Sequence, residues 1–128
     1  MSNSNDFLYT KDHEWLDQSG GDIITVGITD HAQQNLGDIV FVELPEVGES
    51  VEESDPIGSI ESVKAVSEIF TPVKGVITEV NKELTYAPDI INTSPFKDGW
   101  IVKIKIDPPQ DLSEELMDFG TYQEFIEE

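Results

Sequence analysis

The sequence predicts a mainly β fold, a β-sandwich or flattened barrel with short peripheral helices. Stretches rich in β-branched residues recur along the chain, and proline and glycine separate them. With 38% hydrophobic residues in 128 positions, the chain is long enough to bury one core. We therefore expect a single domain over residues 1–128.

Seven segments have the alternation or the β-branched composition of strands. They are residues 22–28, 38–44, 50–52, 57–63, 66–70, 75–80 and 100–106. In the second segment, alternation predicts that Ile39 and Phe41 share one face, with Glu43 a possible third member. Val40, Val42 and Leu44 are then expected on the opposite face.

Helices are predicted at three places from their capping signals. Thr29 is a good N-cap and Gly37 a good C′ residue, which predicts a helix over 30–36. Residues 111–114 and 121–124 both read as capping boxes, and Gly120 separates them. We expect two short helices there, in a C-terminal helical segment of about 111–127.

The charge is strongly acidic: 27 Asp and Glu against 7 basic residues, a net charge of −20. Nucleic acid and anionic membranes are poor partners for such a surface. Solubility and steering toward basic partner proteins both remain open explanations. The chain has no cysteine, no apolar run that could span a membrane and no signal peptide, so we expect a complete, cytoplasmic, monomeric protein.

A near-palindrome at residues 60–69 predicts an antiparallel hairpin over about 57–70. The ten residues read the same in both directions except at the central pair, Lys64-Ala65, which would form the tip. The expected cross-strand pairs are Val63 with Val66, Ser62 with Ser67, Glu61 with Glu68 and Ile60 with Ile69.

The tip lacks the residues that a plain turn prefers. Two-residue hairpin loops favour Asn-Gly, Asp-Gly or Gly-X, and two facing glutamates repel each other. Such a broken local rule is typical of a functional site. A lysine amine is almost fully protonated at neutral pH, so Lys64 suits display and acylation by another enzyme better than nucleophilic catalysis.

A four-residue motif occurs twice, once on each side of the predicted hairpin. Pro-x-x-Gly occurs at residues 45–48 and again at 72–75, and Lys64 lies almost midway between the copies. Two similar halves joined by a hairpin would place that hairpin on a pseudo-twofold axis.

No other catalytic or metal site is indicated. His13 and His31 are the histidines of the chain, and their spacing matches no metal-binding motif. No Gly-x-Ser-x-Gly nucleophile motif is present either. The sequence predicts neither a metal site nor an enzyme.

Ten segments, spread in order over almost the whole chain, resemble the H protein of the glycine cleavage system. They are His13-Glu14-Trp15, Val26-Gly27-Ile28-Thr29, Ala32-Gln33, the run from Leu36 to Val42, Leu44-Pro45, Glu61-Ser62-Val63-Lys64-Ala65, Glu79-Val80-Asn81, Asn92-Thr93-Ser94-Pro95, Gly99-Trp100 and Leu116-Met117. Asp12 and Asn35 depart from the family's usual residues. The resemblance implies a lipoyl/biotinyl-type barrel-sandwich fold.

The resemblance also implies a function. Lys64 would carry lipoic acid in amide linkage, and the protein would be a carrier rather than an enzyme. Glycine decarboxylase (P protein) would load an aminomethyl group onto the lipoyl arm. The aminomethyltransferase (T protein) would pass it to tetrahydrofolate with release of ammonia, and dihydrolipoamide dehydrogenase (L protein) would reoxidise the arm.

Further site residues follow from the same resemblance. Glu14, Glu68 and His31 are expected at the cleft that shelters the loaded arm. Glu61, Glu68, Gly48 and Gly75 are expected to guide the lipoate-attaching enzymes, with the two glycines fixing turns at the base of the hairpin.

Two alternatives remain open at this point. The first is a lipoyl or biotin carrier domain of another complex, although Val63 and Ala65 are not the residues that usually flank the lysine there. The second is an acidic interaction protein that mimics nucleic acid and has no modified lysine.

Overall fold

Two antiparallel β-sheets form the framework, as the computed structural model shows for residues 7–18, 21–106 and 116–127. The elements are β1 (Leu8–Tyr9), β2 (Glu14–Asp17), β3 (Ile23–Ile28), α1 (Asp30–Leu36), β4 (Ile39–Glu43), β5 (Ser50–Val51), β6 (Pro56–Ser62), β7 (Val66–Phe70), β8 (Gly75–Val80), α2 (Glu83–Tyr86), α3 (Ile90–Thr93), β9 (Val102–Ile106) and α4 (Phe119–Glu127). The larger sheet has the order β1-β2-β3-β9-β8-β5 and the smaller one β4-β6-β7. The sheets are open, so the fold is the predicted mainly β sandwich and not a closed barrel.

The main core lies between the two sheets. Ile24 and Ile77 of the larger sheet and Ile60 and Ile69 of the smaller sheet belong to one buried cluster. Each such side chain stabilises the fold by roughly 1.5–3 kcal/mol relative to an exposed position. The smaller sheet, which contains the hairpin, is therefore held firmly along its inner face.

Helix α1 confirms its prediction residue for residue. The Thr29 hydroxyl accepts the N–H of Ala32 at 3.2 Å, which is the N-cap bond. Gly37 has a φ of +81° and donates its N–H to the Gln33 carbonyl, so it ends the helix.

Strand β4 does not alternate as predicted. Ile39 and Val42 are buried, whereas Val40 and Phe41 are exposed. The pairing with β6 shifts between Ile39 and Phe41, so a β-bulge inserts Val40 as an extra residue. Because of the bulge, Ile39 shares the buried face with Val42 instead of sharing a face with Phe41, and Phe41 lies on the solvent side with Glu43.

The C-terminal helix begins earlier than predicted. α4 starts at Phe119, and the Asp118 carboxylate accepts the N–H of Thr121 at 2.8 Å. Asp118 is thus the cap, and Gly120 lies inside the helix rather than before it. The helix predicted from the capping box at 111–114 falls largely outside the described residues.

A second, aromatic cluster was not predicted. Strand β1 brings Tyr9 to the C-terminal helix, where Tyr9 and Tyr122 stack with ring centroids 4.5 Å apart. Trp15 stacks on Phe7 at 4.6 Å. In the described part of the chain, no helix is long and apolar enough to cross a membrane.

Candidate functional site

The hairpin β6–β7 has a register two residues away from the predicted one. Glu61 pairs with Val66, and Glu68 pairs with Ser59. The remaining predicted pairs are wrong by the same shift, because Ile60 faces Ser67 and Ser62, the last residue of β6, bonds to Ala65 across the turn. The observed register separates the two glutamates, which would repel each other if they were directly opposed.

Ser62 explains how the turn forms without glycine. Its hydroxyl oxygen accepts the N–H of Ala65 at 3.1 Å and that of Lys64 at 3.3 Å. Its own N–H donates to the Ala65 carbonyl at 2.8 Å. A serine hydroxyl that satisfies turn amides replaces the usual turn residues, so Val63 and Lys64 occupy the tip.

The tip is also held from outside the hairpin. The Val63 N–H donates to the Asp38 carbonyl at 3.0 Å. Beside that contact lies Gly37, where a Cβ would stand 3.6 Å from the Lys64 Cε atom. The corner between α1 and β4, residues 37–39, therefore supports the lysine.

Asn92 of α3 fixes that corner with its side-chain amide. Its Oδ1 accepts the Ile39 N–H at 2.9 Å. Its Nδ2 donates to the Gly37 carbonyl and to the Gln33 Oε1 atom, each at 2.9 Å. All three partners precede the hairpin in sequence, so Asn92 joins α1, β4 and α3 behind the tip.

Lys64 itself is exposed at this supported tip. Within the described residues its ammonium group makes no ion pair. A primary amine that protrudes from a firm bend is well placed for acylation by a large enzyme.

Glu14 lies in a pocket of about 350 Å³ that Thr10, Phe70, Thr71 and Met117 also line. The carboxylate is 2% exposed, and it accepts the Phe70 N–H at 2.8 Å and the Thr10 hydroxyl at 3.3 Å. Burial raises the pKa of Glu14 to about 7, and the hydrogen bond from Phe70 opposes that shift. The group can therefore take up or release a proton near neutral pH.

His31 and Glu68, predicted beside Glu14, lie elsewhere. His31 lines a different pocket of about 300 Å³ next to α4. Glu68 is exposed on the outer face of the smaller sheet, opposite Ser59. Neither lines the Glu14 pocket, so a shared role at one cleft stays a prediction.

His13 and His31 form part of a network that holds α4. Their rings lie 4.8 Å apart, and His13 Nδ1 is 2.9 Å from the Tyr122 hydroxyl. That hydroxyl is 2.7 Å from the Thr29 hydroxyl. Burial and the neighbouring His31 lower the pKa of His13, which favours the neutral ring.

The residues predicted to guide lipoylation fall in two regions. Glu61 and Glu68 lie on the outer face of the hairpin, one on each strand. Gly48 and Gly75 belong to the other sheet region, where the Gly48 N–H donates to the Ile77 carbonyl at 2.7 Å. A Cβ on Gly75 would collide with the Lys105 carbonyl, so close packing alone requires this glycine.

Asn92 and Phe41 lie at the site but were not predicted from the sequence. Asn92 stands in a segment that carried the resemblance, but its partners are more than 50 residues away. Phe41 was expected on one face of a regular strand, and the bulge at Val40 changes that face. A serine directly before the tip was the available signal for the Ser62 turn.

Comparison with known proteins identifies the family. The glycine cleavage H-protein model matches residues 7–128. The chain belongs to the glycine cleavage H-protein family.

Individual relatives of this H-protein family agree over the full length. A glycine cleavage system H protein of Anaeromyxobacter sp. (strain K) is 50% identical over 96% of this chain and 94% of its own. That of Oceanobacillus iheyensis is 47% identical over 100% of both chains. The crystal structure of a glycine cleavage system H protein from Mycobacterium marinum has a TM-score of 0.86 and 36% identity, and covers 97% of this chain and 98% of that one.

Membership in the H-protein family supports a carrier role, with lipoyl as the carried group, in the glycine cleavage system. The match over whole chains makes an isolated carrier domain of another complex, or an acidic mimic, the weaker interpretation.

Proposed function

We propose that Lys64 is the lipoyl attachment site of a non-catalytic carrier of the glycine cleavage system. The observation that supports this most directly is the position of Lys64. It is exposed on a hairpin tip that Ser62 and the 37–39 corner hold in place. A tether needs a stiff base and an accessible amine, and this site offers both.

Lipoic acid fits the residues around this site. Its amide link to Lys64 would remove one positive charge that no described ion pair uses. Held in amide linkage by Lys64, lipoic acid would supply a disulfide that can be reduced and reoxidised. The chain would present this group to the P protein for loading with an aminomethyl group, to the T protein for transfer to tetrahydrofolate with release of ammonia, and to the L protein for reoxidation. Tethering raises the effective concentration of that group at each docked partner.

Glu14 is the residue we propose to receive the amine of the loaded arm. The pocket shelters its carboxylate, and Thr10 and Phe70 orient the two oxygens. An incoming ammonium group favours the charged form of a neighbouring carboxyl. The resulting charge-assisted hydrogen bond is worth roughly 1.5–3 kcal/mol.

The remaining assignments are part of the same proposal. His31 would contribute from a neighbouring pocket and Glu68 from the outer face of the smaller sheet, and Glu61, Glu68, Gly48 and Gly75 would guide lipoate-attaching enzymes. The P, T and L proteins are the expected partners of a single-domain, monomeric carrier. We also propose that this carrier works in the cytoplasm of a bacterium.

Intact-mass and peptide mass spectrometry after expression in a lipoate-competent host test the attachment site. We expect one lipoyl adduct, on the peptide that contains Lys64. The variant Lys64→Arg should keep the fold and lose both the adduct and glycine cleavage activity in a reconstituted system. Lys82→Arg, an exposed lysine on the α2 N-cap, is the matched control and should retain both.

A chain that stays unmodified in that host would contradict the proposal and favour the acidic interaction protein. Normal glycine cleavage activity of Lys64→Arg would contradict it as well.

A further inference from the structure

Two residues other than glycine have a positive φ angle in the described part of the chain, and both border the Glu14 pocket. Ser54, with a φ of +74°, lines the pocket, and its N–H donates to the carbonyl of Thr71, another lining residue, at 2.7 Å. His13, with a φ of +66°, directly precedes Glu14. Side chains in this backbone region are strained, and such strain is concentrated at functional sites.

The strained histidine ends the loop between β1 and β2. The Thr10 N–H donates to the Glu14 carbonyl at 3.0 Å and the His13 N–H to the Thr10 carbonyl at 3.2 Å, so residues 11–13 form a three-residue hairpin loop. Such loops end with a residue of positive φ, and glycine is the usual choice. Here a histidine with a half-buried ring occupies that position. The strain indicates that the ring has a role of its own.

The conformation of this loop brings Glu14 back to Thr10. The Thr10 hydroxyl oxygen accepts the Glu14 N–H at 3.2 Å, and the same hydroxyl donates to Glu14 Oε1 at 3.3 Å. Glu14 Oε2 accepts the Phe70 N–H at 2.8 Å. Both carboxylate oxygens are thus oriented, and the bond to Oε1 depends on how the loop is folded.

The ring of His13 connects the loop to α4. Its Nδ1 lies 2.9 Å from the Tyr122 hydroxyl, and the ring centroids of His13 and Phe125 are 5.8 Å apart. The Tyr122 hydroxyl in turn lies 2.7 Å from that of Thr29, the N-cap of α1. One ring nitrogen therefore joins the loop to two helices.

The segment before α4 forms one wall of the Glu14 pocket. Met117 lines the pocket and exchanges two backbone hydrogen bonds with Tyr9 of β1, at 2.8 and 3.0 Å. The helix that His13 contacts thus follows a pocket wall, while the residue after His13 supplies the carboxylate.

We infer that His13 is a positioning residue for Glu14: its ring holds the 11–13 loop against Tyr122 and so fixes the carboxylate in the pocket. This inference rests on the proposed function, in which Glu14 receives the amine of the loaded arm. His13 does not itself line the pocket, so it acts through Glu14 and not by contact with the arm.

A fixed Glu14 carboxylate would keep the amine of the loaded arm protonated. A protonated amine has no lone pair with which to expel the neighbouring sulfur, so the load would be lost to water more slowly. That loss consumes one water molecule and leaves a thiol, formaldehyde and ammonium. A carboxylate that moves freely would protect the load less well.

Two substitutions at residue 13 separate the ring from the backbone. His13→Gly adopts a positive φ without strain but removes the ring. His13→Asn also tolerates a positive φ, and its Oδ1 replaces Nδ1 as a partner for the Tyr122 hydroxyl. Tyr122→Phe removes that hydroxyl and keeps the aromatic ring. Tyr86→Phe, at a tyrosine of α2 that is 88% exposed, is its matched control.

The first readout uses the chain without lipoic acid, so it does not depend on the proposed function. Carbon NMR of the Glu14 carboxyl measures its pKa, which is about 7 in the unaltered chain. In His13→Gly and Tyr122→Phe we expect it to fall below about 6, because water reaches the carboxylate. Hydrogen exchange of the Met117 amide should become about tenfold faster in both variants. His13→Asn and Tyr86→Phe should keep the values of the unaltered chain.

The second readout uses the lipoylated chain, loaded by the P protein and glycine and then separated from the P protein. Release of ammonia in buffer measures the loss of the load. We expect it to be about tenfold faster in His13→Gly and in Glu14→Gln, and within about twofold of the unaltered chain in His13→Asn. An unchanged rate in Glu14→Gln would contradict the proposed role of Glu14, whereas a lowered Glu14 pKa in His13→Gly would still support the positioning role.

Circular dichroism establishes that each variant is folded, and Tyr122→Phe carries the test if His13→Gly is not. Ile91→Val, in the buried core at α3, is a control for a general loss of stability and should leave the Glu14 pKa unchanged. A purely structural histidine would alter unfolding without moving the Glu14 pKa.

Two outcomes would overturn the inference. The first is a Glu14 pKa and a Met117 exchange rate that stay unchanged in both His13→Gly and Tyr122→Phe. The second is an equal fall of the Glu14 pKa in Ile91→Val, which would assign the effect to a loosened fold.

Discussion

Glu14 is a carboxyl group whose surroundings favour its neutral form. It is buried, and the N–H of Phe70 is one of the donors that partly compensate the charge. Its pKa, raised from 4.5 to about 7, lies above that of the unfolded chain. The folded state therefore holds this proton more tightly, and Glu14 lowers the free energy of unfolding as pH rises from about 4.5 through about 7.

Glu14→Gln should remove that pH dependence. Glutamine keeps an oxygen for the Phe70 N–H but does not titrate, so the difference in unfolding free energy between variant and parent should grow by roughly 3 kcal/mol across this range. Urea unfolding between about pH 4.5 and pH 8 measures the difference. Glu53→Gln, an exposed carboxylate on the rim of the same pocket, should leave the slope unchanged, and an equal effect of both variants would contradict the assignment.

Individual residues were predictable where their partners are local. Thr29 and Gly37 act within one helical turn, so their capping roles could be read from neighbouring residues. The role of Asn92 depends on groups that only the fold brings to it. Local chemistry was visible in the sequence, and long-range hydrogen bonds were not.

At the scale of elements, the hairpin was likewise predictable in its local features but not in its pairing. Its existence and both strands follow from composition, but the register depends on the Ser62 turn and on a bulge between Pro56 and Gly58. The palindrome favoured a symmetric pairing that would oppose two glutamates. A shift by two residues preserves the faces of both strands, so Lys64 remained at the tip although the pairing was wrong.

Asn92→Ala should destabilise the element junction behind the hairpin. It would leave the Ile39 N–H and the Gly37 carbonyl without their side-chain partner, at a cost of about 1–3 kcal/mol. Urea unfolding measures the loss, and hydrogen exchange of the Val63 amide should become faster, because Asp38 is released.

Asn35→Ala is the control for that change. Asn35 is exposed, and its contact is a 3.2 Å hydrogen bond to His31 within α1, so its loss should cost less than about 0.5 kcal/mol. Unchanged Val63 exchange in Asn92→Ala would show that the corner does not hold the tip.

The whole molecule combines a net charge of −20 with a lysine that, on the proposed function, is presented to several enzymes. Exposed charges act over about 10 Å at 0.1 M salt. If this field steers the carrier, higher ionic strength should slow its association with basic docking surfaces and leave uncharged reactants unaffected.

Raising the salt concentration from about 0.02 to about 0.3 M should therefore increase the KM of the L protein for the reduced, lipoylated chain severalfold. Free dihydrolipoamide, which has no net charge, is the control substrate and should show little change. Equal salt dependence for both substrates would assign the acidity to solubility instead.

At this scale, the mainly β sandwich was predictable because strand composition and turn residues recur along the chain. The aromatic cluster was not, since Tyr9 and Trp15 come from segments without a strong strand or packing signal and lie far in sequence from Tyr122. Of the candidate site, the exposed hairpin tip at Lys64 was predictable, because the local sequence pattern there is unusual. The pocket at Glu14 required the tertiary contact with Phe70.

Strand β7 runs from Val66, beside the tip, to Phe70, whose amide holds Glu14. Five residues of strand span about 14 Å, measured between the first and last Cα atoms. On the proposed function, the length of this strand sets the distance between the lipoyl attachment point at Lys64 and the carboxylate of Glu14. Inserting two residues into each strand of the hairpin would keep every side chain on its face. It would also move Lys64 about 7 Å farther from Glu14, while the length of the lipoyl group stays fixed.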